Sequence, residues 1–153
     1  MLSQKTKYAI KALTFLADDE AAGKGPVLIS SLSKRGKIPQ KFLEAILLEL
    51  KNHGMLHSKK GKGGGYSLAK SPEDIKIGAI IRITEGPLAL LPCASQTAYR
   101  KCDECRDVES CGIRQLFKEV RDTTADILDN TSLAKIQRLE TAAAQKKKPV
   151  YSI

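Results

Sequence analysis

The sequence predicts a mainly α-helical fold with one small β hairpin, ordered as a winged helix-turn-helix and followed by a long C-terminal dimerisation helix. Three observations predict this fold. Apolar residues recur at helical spacing along most of the chain, a run of glycines separates two short extended segments, and a second long apolar stripe follows a loop that holds all four cysteines. With 153 residues, the chain is long enough for one continuous core but not for two large independent ones.

The first predicted helix begins after Ser3, a favourable N-cap residue, and ends at a turn marked by Gly23. Between these two residues the apolar side chains follow a helical period. A short extended stub over residues 27–29 comes next. Ser30 is then expected to cap a brief second helix, which Gly36 ends.

The third predicted helix is the one expected to present side chains to a partner. It runs from Pro39, which suits the first helical position, to Gly54, which suits a helix end. Its inward face is expected to consist of five apolar residues, namely Phe42, Leu43, Ile46, Leu47 and Leu50. Polar residues are thereby left on the outside, among them Gln40, Lys41 and Glu44.

A hairpin and a fourth helix are predicted after the third helix. Extended segments over 55–60 and 66–69 are joined by a basic, glycine-rich loop, which is typical of a hairpin. Ser71, followed by Pro72 and two carboxylates, predicts the start of the fourth helix, which ends near Gly86.

The rest of the chain is predicted as a loop, a long helix, a short helix and a tail. The loop has no clear period over about 25 residues, which indicates function or disorder. The long helix carries an apolar stripe from Ile113 to Leu128 and ends near Asn130, and Thr131 is expected to cap the last helix. The predicted units are a winged helix-turn-helix at 1–86, a sensor loop at 87–111, dimerisation helices at 112–143 and a basic tail at 144–153.

The net charge indicates a polyanionic partner. Twenty-six basic residues against 17 acidic ones give a net charge of +9, which attracts nucleic acid. The charge is also clustered. The segment from Lys34 to Lys62 contains eight basic and two acidic residues, whereas the segment from Cys93 to Cys111 contains three basic and four acidic ones. Charge and cysteines therefore occupy different segments.

Other function classes are disfavoured. No apolar stretch approaches the roughly 20 residues that a bilayer crossing needs, and the N-terminus has no secretory pattern, so a cytoplasmic protein without a membrane partner is expected. An enzyme with a small-molecule substrate is not expected, because Gly54 separates His53 from His57 and no acid or base partner is near them. Binding of RNA or nucleoid through charge alone is an alternative, and it predicts affinity without sequence preference.

The order of helix, short helix, tight turn, helix and basic hairpin is that of a winged helix-turn-helix, whose recognition helix can enter the major groove of double-stranded DNA. The helix residues would meet base edges, the hairpin lysines would meet phosphates or a minor groove, and glycines 63 to 65 would allow close approach to the sugar-phosphate backbone. The alternative is a plain solvated surface. The residues expected to contact DNA are Gln40, Lys41, Glu44, Lys59, Lys60, Lys62, Gly63, Gly64 and Tyr66.

Two segments resemble a known family. They are 41–51, Lys-Phe-Leu-Glu-Ala-Ile-Leu-Leu-Glu-Leu-Lys, and 61–68, Gly-Lys-Gly-Gly-Gly-Tyr-Ser-Leu. These segments are similar to the recognition helix and wing of the Rrf-two (Rrf2) family of transcription regulators, which includes iron-sulfur cluster, nitric oxide and cysteine-metabolism regulators. The resemblance extends over nearly the whole chain, including the helix with Ile77 and Gly78. It implies a homodimer crossed through the long helices and bound to pseudo-palindromic promoter DNA.

The four cysteines Cys93, Cys102, Cys105 and Cys111 are close enough along the chain to converge on one ion or cluster. A cytoplasmic location argues against structural disulfides, and thiolates suit zinc or an iron-sulfur cluster. Cys111 stands at a predicted helix start, where the dipole favours a thiolate. The Rrf-two resemblance implies a [2Fe-2S] or [4Fe-4S] cluster held by three cysteines of this loop, with Cys93 as the first and with the family's spacing between Cys105 and Cys111.

The sequence departs from the family at the fourth ligand. Some members use a His three residues after the last Cys, where this chain has Arg114, and others use a carboxylate of the partner's first helix, where residues 5–7 are Lys, Thr and Lys. Cys102 could supply this ligand or form a redox pair with Cys105. Zinc, disulfide-switching thiols and a cofactor-free regulator that acts through a partner protein stay open. The expected mechanism is that the cluster orders the loop beside the dimer helix and thereby changes operator affinity.

Overall fold

Residues 2–147 are described by the computed structural model. Over that range the chain folds into six α-helices, one antiparallel hairpin and one short 3-10 helix. This arrangement confirms the predicted mainly α-helical class with a small hairpin. The elements are α1 (Gln4–Ala21), α2 (Ile29–Gly36), α3 (Gln40–Asn52), β1 (Leu56–Lys59), β2 (Gly65–Leu68), α4 (Ile77–Thr84), the 3-10 helix (Pro92–Ala94), α5 (Gly112–Asp129) and α6 (Leu133–Lys146).

The core lies where α1, α3 and α4 pack together. α1 begins where the sequence predicts, because the Ser3 hydroxyl accepts a hydrogen bond from the Thr6 backbone N–H at 3.2 Å. Side chains from every helix except α5 reach the centre of this core. The largest fully buried ones are Leu13, Leu32, Leu43, Ile46, Leu47, Leu50, Ile75, Ile80 and Leu133.

The predicted Ser30 cap of α2 is wrong, because the helix begins two residues earlier. Leu28 is the N-cap residue, and its carbonyl accepts the Leu32 N–H at 3.2 Å. The extended stub consists of Val27 and the N-cap residue Leu28, and the N–H and carbonyl of Val27 both pair with Tyr66 at 2.8 Å. This pairing holds Val27 extended, and the helix starts two residues later at Ile29.

α3 presents a narrower apolar face to the core than the sequence predicts. Phe42, which was expected to point inward, is 39% exposed and packs its ring edge-on against Tyr8 with 5.7 Å between the centroids. Pro39 is the N-cap residue and not the first helical residue, since its carbonyl accepts the Leu43 N–H at 3.0 Å while its own ψ of 126° is extended. The four fully buried residues of α3 are Leu43, Ile46, Leu47 and Leu50.

The hairpin is anchored to the segment that precedes α2. β1 and β2 pair in antiparallel register, with Leu56 opposite Leu68. Gly65 has a φ of +140°, and a Cβ added there would collide with the backbone of Val27. Only glycine therefore allows the bridge between β2 and Val27 to form.

The predicted start of α4 at Ser71 is wrong. Residues 71–74 form a turn, and the helix begins only at Ile77. The cause is a pairing between distant segments. The Leu133 N–H donates to the Ile75 carbonyl at 2.8 Å, so the chain is held extended just before α4.

α6 packs back onto the winged unit. Ser132 is its N-cap residue, with a hydroxyl that accepts the Lys135 N–H at 3.1 Å, so the predicted Thr131 cap is wrong by one position. Leu133 lies in the core, and α6 contacts α1. The helix continues into the predicted tail, of which residues 148–153 lie outside the described residues. None of the helices within residues 2–147 is long and apolar enough to cross a membrane.

A polar cluster ties the start of α1 to the end of α4. The Glu85 carboxylate accepts the Ser3 backbone N–H at 2.6 Å and the Thr6 hydroxyl, and the Thr6 and Thr84 hydroxyls are 2.7 Å apart. Hydrogen bonds from the Ser3 and Thr6 side chains, and then from the Ser3 backbone, lower the pKa of Glu85 to about 2. The carboxylate is therefore bound in its charged form.

Glu85→Gln is expected to lower the melting temperature at pH 7. Because the folded pKa lies below the ordinary value of 4.5, the charged carboxylate stabilises the fold fully above pH 4.5, and this contribution is lost as the pH falls towards about 2. The difference between wild type and variant should thus be large at pH 7 and vanish near pH 2 in thermal unfolding. Glu20→Gln, at an exposed carboxylate of α1, should show no such dependence. A difference that is constant with pH would contradict the role of Glu85.

Candidate nucleic-acid interface and cysteine cavity

The outer side of α3 begins with the three polar residues that the sequence singles out. Gln40, Lys41 and Glu44 are all exposed on the first turns of the helix. The Gln40 amide donates to the Glu44 carboxylate at 3.4 Å, so these two side chains act as one polar unit. Such a unit offers a donor and an acceptor to a base edge.

An open groove of about 450 Å³ separates α3 from the wing, the hairpin of β1 and β2 with its loop. Gln40 and Lys51 line it from the helix, and Lys59 and Lys60 line it from the wing. The exposed Lys62 lies in the loop beyond them. The walls of the groove thus carry positive charge, as a surface that meets phosphates requires.

The conformation of the hairpin itself requires glycine at two positions of the wing. Gly63 has a φ of +72°, a left-handed conformation that permits the turn. Gly64 is buried, and a Cβ there would collide with the Lys59 carbonyl. Gly64 also lines the groove, and its approach to DNA stays a prediction. Tyr66 is half-buried and pairs with Val27 while also lining the groove.

The four cysteines line one cavity of about 700 Å³, together with residues of the loop and of the start of α5. All four are free thiols, with Cys102 exposed and the other three half-buried. Cys111 is the N-cap residue of α5, as its predicted position at a helix start requires. Burial, followed by the neighbouring thiols of Cys111, Cys102 and Cys93, raises the pKa of the Cys105 thiol.

The cavity fits thiolate chemistry by the type of its donors. In residues 2–147, however, no three His, Cys, Asp or Glu side chains converge tightly enough to hold a single metal ion. The arrangement is therefore a set of thiols around a shared space and not a preformed one-ion site.

Two arginines clamp the first part of the cysteine loop onto α5. Arg114 donates from Nε to the Cys93 carbonyl at 2.9 Å, and Arg121 donates to the Ala94 carbonyl. The sequence alone does not predict this role. Arg114 is notable in the sequence only because it stands where some family members have a His, and no local signal marks an arginine that bonds a carbonyl 21 or 27 residues away.

A bidentate ion pair links α5 to α4. The Arg82 guanidinium donates to the two carboxylate oxygens of Asp129 at 2.5 and 2.9 Å, and this contact lowers the pKa of the Asp129 carboxyl. A Cβ added at Gly78 would collide with that carboxylate. The absence of a side chain at Gly78 thus leaves room for the Asp129 carboxylate, through which α5 is joined to α4.

Comparison with known proteins gives this fold and these two sites their context. Residues 2–138 match the Rrf2 family model, which is described as an iron-dependent transcriptional regulator. The chain belongs to the Rrf2 family. This membership confirms the resemblance carried by the recognition helix and wing, and the Rrf2 chain is accordingly a DNA-binding transcription regulator and not an enzyme.

Relatives of the Rrf2 chain carry the same type of name. An Rrf2-like HTH-type transcriptional regulator of Rhodobacter capsulatus is 42% identical over 134 residues, which is 87% of this chain and 89% of the relative. The structure of CymR, the global cysteine regulator of B. subtilis, superposes with a TM-score of 0.72 at 27% identity and covers 91% of this chain and 97% of its own. The structure of T. potens IscR also has a TM-score of 0.72, at 29% identity, and covers 99% and 94%. The fold is therefore that of Rrf2 winged-helix regulators.

The two histidines lie apart from the cysteine cavity. His53 is the C-cap residue of α3, and its Nδ1 lies 2.8 Å from the Glu49 carbonyl. His57 is exposed on β1. Their positions match the surface role at a helix end and a strand that their spacing predicts.

Lys62→Ala is expected to weaken the binding of the Rrf2 chain to all duplexes and to flatten the salt dependence by about one unit, because one phosphate contact is lost. Gln40→Ala is expected to cost about 1–3 kcal/mol at one base position only. Titrations against duplexes selected in vitro, at several salt concentrations, measure both. Lys135→Ala, an exposed lysine on α6, should leave the salt slope unchanged. Equal loss on every duplex for Gln40→Ala would show that it does not read a base.

Proposed function

We propose that this chain is a homodimeric, sequence-specific regulator of promoter DNA whose operator affinity is set by an iron-sulfur cluster in the cysteine loop. The observation that carries this proposal is the combination of an unburied apolar stripe on α5 with a four-thiol cavity at the start of the same helix. Family membership supplies the DNA-binding function. The residues below supply the details.

The dimer is argued from α5. None of its 18 residues is buried within one chain, although several are large and apolar. Ile113, Leu116 and Ile127 are 65%, 55% and 60% exposed and follow a helical period. A stripe of this kind stabilises the protein only when another surface covers it, and the same stripe of a second copy is self-complementary.

The two reading surfaces would then face successive turns of a duplex. In each copy, Gln40, Lys41 and Glu44 would meet base edges, and Lys59, Lys60 and Lys62 would meet phosphates or a minor groove. Gly63 and Tyr66 would shape the wing that carries these lysines. Two-fold symmetry of the protein requires a pseudo-palindromic site.

The donor geometry favours a cluster over a single zinc ion. A zinc site needs its ligands to meet around one point, whereas the four thiols here line a cavity of about 700 Å³. A cluster instead distributes its thiolate ligands over more than one iron, so thiols around a wider cavity suit it. Cys93, Cys105 and Cys111 would hold it, with Cys102 as the fourth thiol, and the iron-dependent description of the family agrees with this set. When bound, the cluster supplies sensitivity to oxygen, nitric oxide or iron supply.

A chain of contacts connects the cavity with the reading head. Arg114 and Arg121 hold the loop to α5, the Arg82–Asp129 pair holds α5 to α4, and α4 packs on α1 and α3. A change in the order of the loop would therefore bias the tilt of α5, which sets the spacing of the two recognition helices in a dimer.

A thiol switch without a cluster is the second candidate, and one observation favours it. The Cys105 N–H bonds to the Cys102 carbonyl at 3.3 Å, so the two cysteines stand at the ends of a tight turn. Ends of such a turn lie within about 7 Å of each other, which is close to the reach of a disulfide. A zinc-containing regulator, or one that acts through a partner protein, would need ligands or a surface beyond those described above.

Leu116→Glu is expected to convert the dimer into folded monomers, because a charge would be placed in the seam between two α5 helices. Sedimentation shows the mass, and circular dichroism shows that the helices persist. Leu90→Glu places the same charge on a leucine that is 67% exposed in the cysteine loop and should leave the dimer intact. Wild-type protein that sediments as a monomer, even with operator DNA present, would refute the proposal.

Protein purified without oxygen is expected to be coloured and to contain iron and sulfide in comparable amounts. Cys93→Ala, Cys105→Ala and Cys111→Ala should each lose the absorbance and most of the iron while remaining dimeric, since each removes a thiolate ligand. Cys102→Ala should hold less cluster or shift its spectrum. Ser110→Ala is the matched control in the same loop and should retain both iron and colour.

The same measurements separate the alternatives. Zinc without sulfide would indicate the zinc regulator. Colourless protein that loses two thiols to a peroxide and regains them with a reductant would indicate the thiol switch. Colourless protein without iron or sulfide after reconstitution would exclude the cluster, and monomers in the Cys→Ala variants would show that the loop is structural.

A further inference from the structure

A ridge on α3 lies opposite the core. Lys41, Ala45, Leu48 and Asn52, here called the outer ridge, follow at intervals of four, three and four residues, which places them on one helix face. All four are exposed. At about 100° per residue, this face is centred opposite the four fully buried residues of α3, which are three leucines and one isoleucine.

The centre of the outer ridge is apolar. Leu48 is 51% exposed, and Ala45, one turn before it, is exposed as well. The polar unit of Gln40 and Glu44 lies to one side, towards the wing. On the other side Glu49 pairs with Lys5 of α1 at 2.6 Å. The outer ridge, and not its flanks, is therefore the part of α3 that projects farthest from the protein.

We propose that Leu48, with Ala45 beside it, recognises thymine by contacting its C5 methyl group in the major groove. This inference rests on the proposed function, in which α3 enters that groove. Each thymine presents a methyl group there, and the other three bases do not. An aliphatic side chain matches a methyl group, whereas an amino group placed against Leu48 would lose its water without gaining a partner. The contact thus selects thymine and also rejects adenine and cytosine.

Charge favours DNA over a second protein copy as the occupant of the outer ridge. Lys41 lies on the ridge, Lys51 lies beside it, and Lys59 and Lys60 stand across the groove. A second copy would bring the same lysines against this face and be repelled, whereas a duplex brings phosphates on both sides of the methyl groups. The apolar centre thus has lysines on the ridge and across the groove, while the flanking Glu44 and Glu49 are engaged by Gln40 and Lys5.

The test replaces thymine with deoxyuridine, which removes the methyl group and leaves the hydrogen-bonding edge unchanged. A preferred site is first selected from random duplexes with wild-type protein, and each thymine is then replaced in turn. Wild type should lose about fourfold in affinity at one thymine of each half-site, the value expected for one buried methyl group. Leu48→Ala should lose clearly less affinity when that thymine is replaced by deoxyuridine.

Gln40→Ala is the matched control within the same helix. It should bind the selected site more weakly but keep the full penalty for deoxyuridine, because it leaves the outer ridge unchanged. Circular dichroism and sedimentation of Leu48→Ala should match those of wild type, since half of this side chain is already in solvent.

The experiment distinguishes failure of this inference from failure of the proposed function. A selected site at which no deoxyuridine weakens wild type, or at which Leu48→Ala keeps the full penalty, overturns this inference and leaves the proposed function standing. A selection that yields no preferred site overturns both. A change of oligomeric state in Leu48→Ala, with the penalty unaltered, would identify the ridge as a protein contact.

Discussion

The burial of a four-residue stripe on α3 is the constraint on which the rest of the structure depends. Leu43, Ile46, Leu47 and Leu50 are fully buried and fix the rotation of the helix about its own axis. A rotation by one residue, about 100°, would bring charged side chains into the core at a cost of several kcal/mol each. The packing of the inward face of α3 thus decides which of its residues face outward.

A second set of contacts connects that rigid head to α5. The link includes one bidentate pair, Arg82 with Asp129, and Gly78 leaves the space that the Asp129 carboxylate occupies. The pair is about half exposed, so its own contribution to stability is small. Its importance is geometric, since a two-pronged contact fixes the angle between helices as well as their distance.

The sequence predicts several features that depend on neighbours along the chain, although it misplaces the starts of α2, α4 and α6. The Ser3 cap, the span of α5 and the hairpin follow from local pattern, and the shared cavity of the cysteines follows from their proximity along the chain. Contacts between distant segments leave no such pattern. Pairing of Ile75 with Leu133 displaces the start of α4, and contact with Tyr8 keeps Phe42 at the edge of the core. The motifs of the recognition helix and wing are sufficient to predict the family, whereas the contacts of the two arginines with the loop are seen only in the folded chain.

In the proposed dimer, the seam between the two copies and the cysteine cavity share one side chain. Ile113 lines the cavity and is also the first member of the apolar stripe on α5, where it is 65% exposed. A second helix that covers the stripe therefore covers one wall of the cavity and limits the access of solvent to the thiols. Linkage is reciprocal, so whatever orders the thiols must also change the affinity of the two copies for each other. In the proposed mechanism, the cysteine cavity would therefore act on the dimer first and on DNA through it.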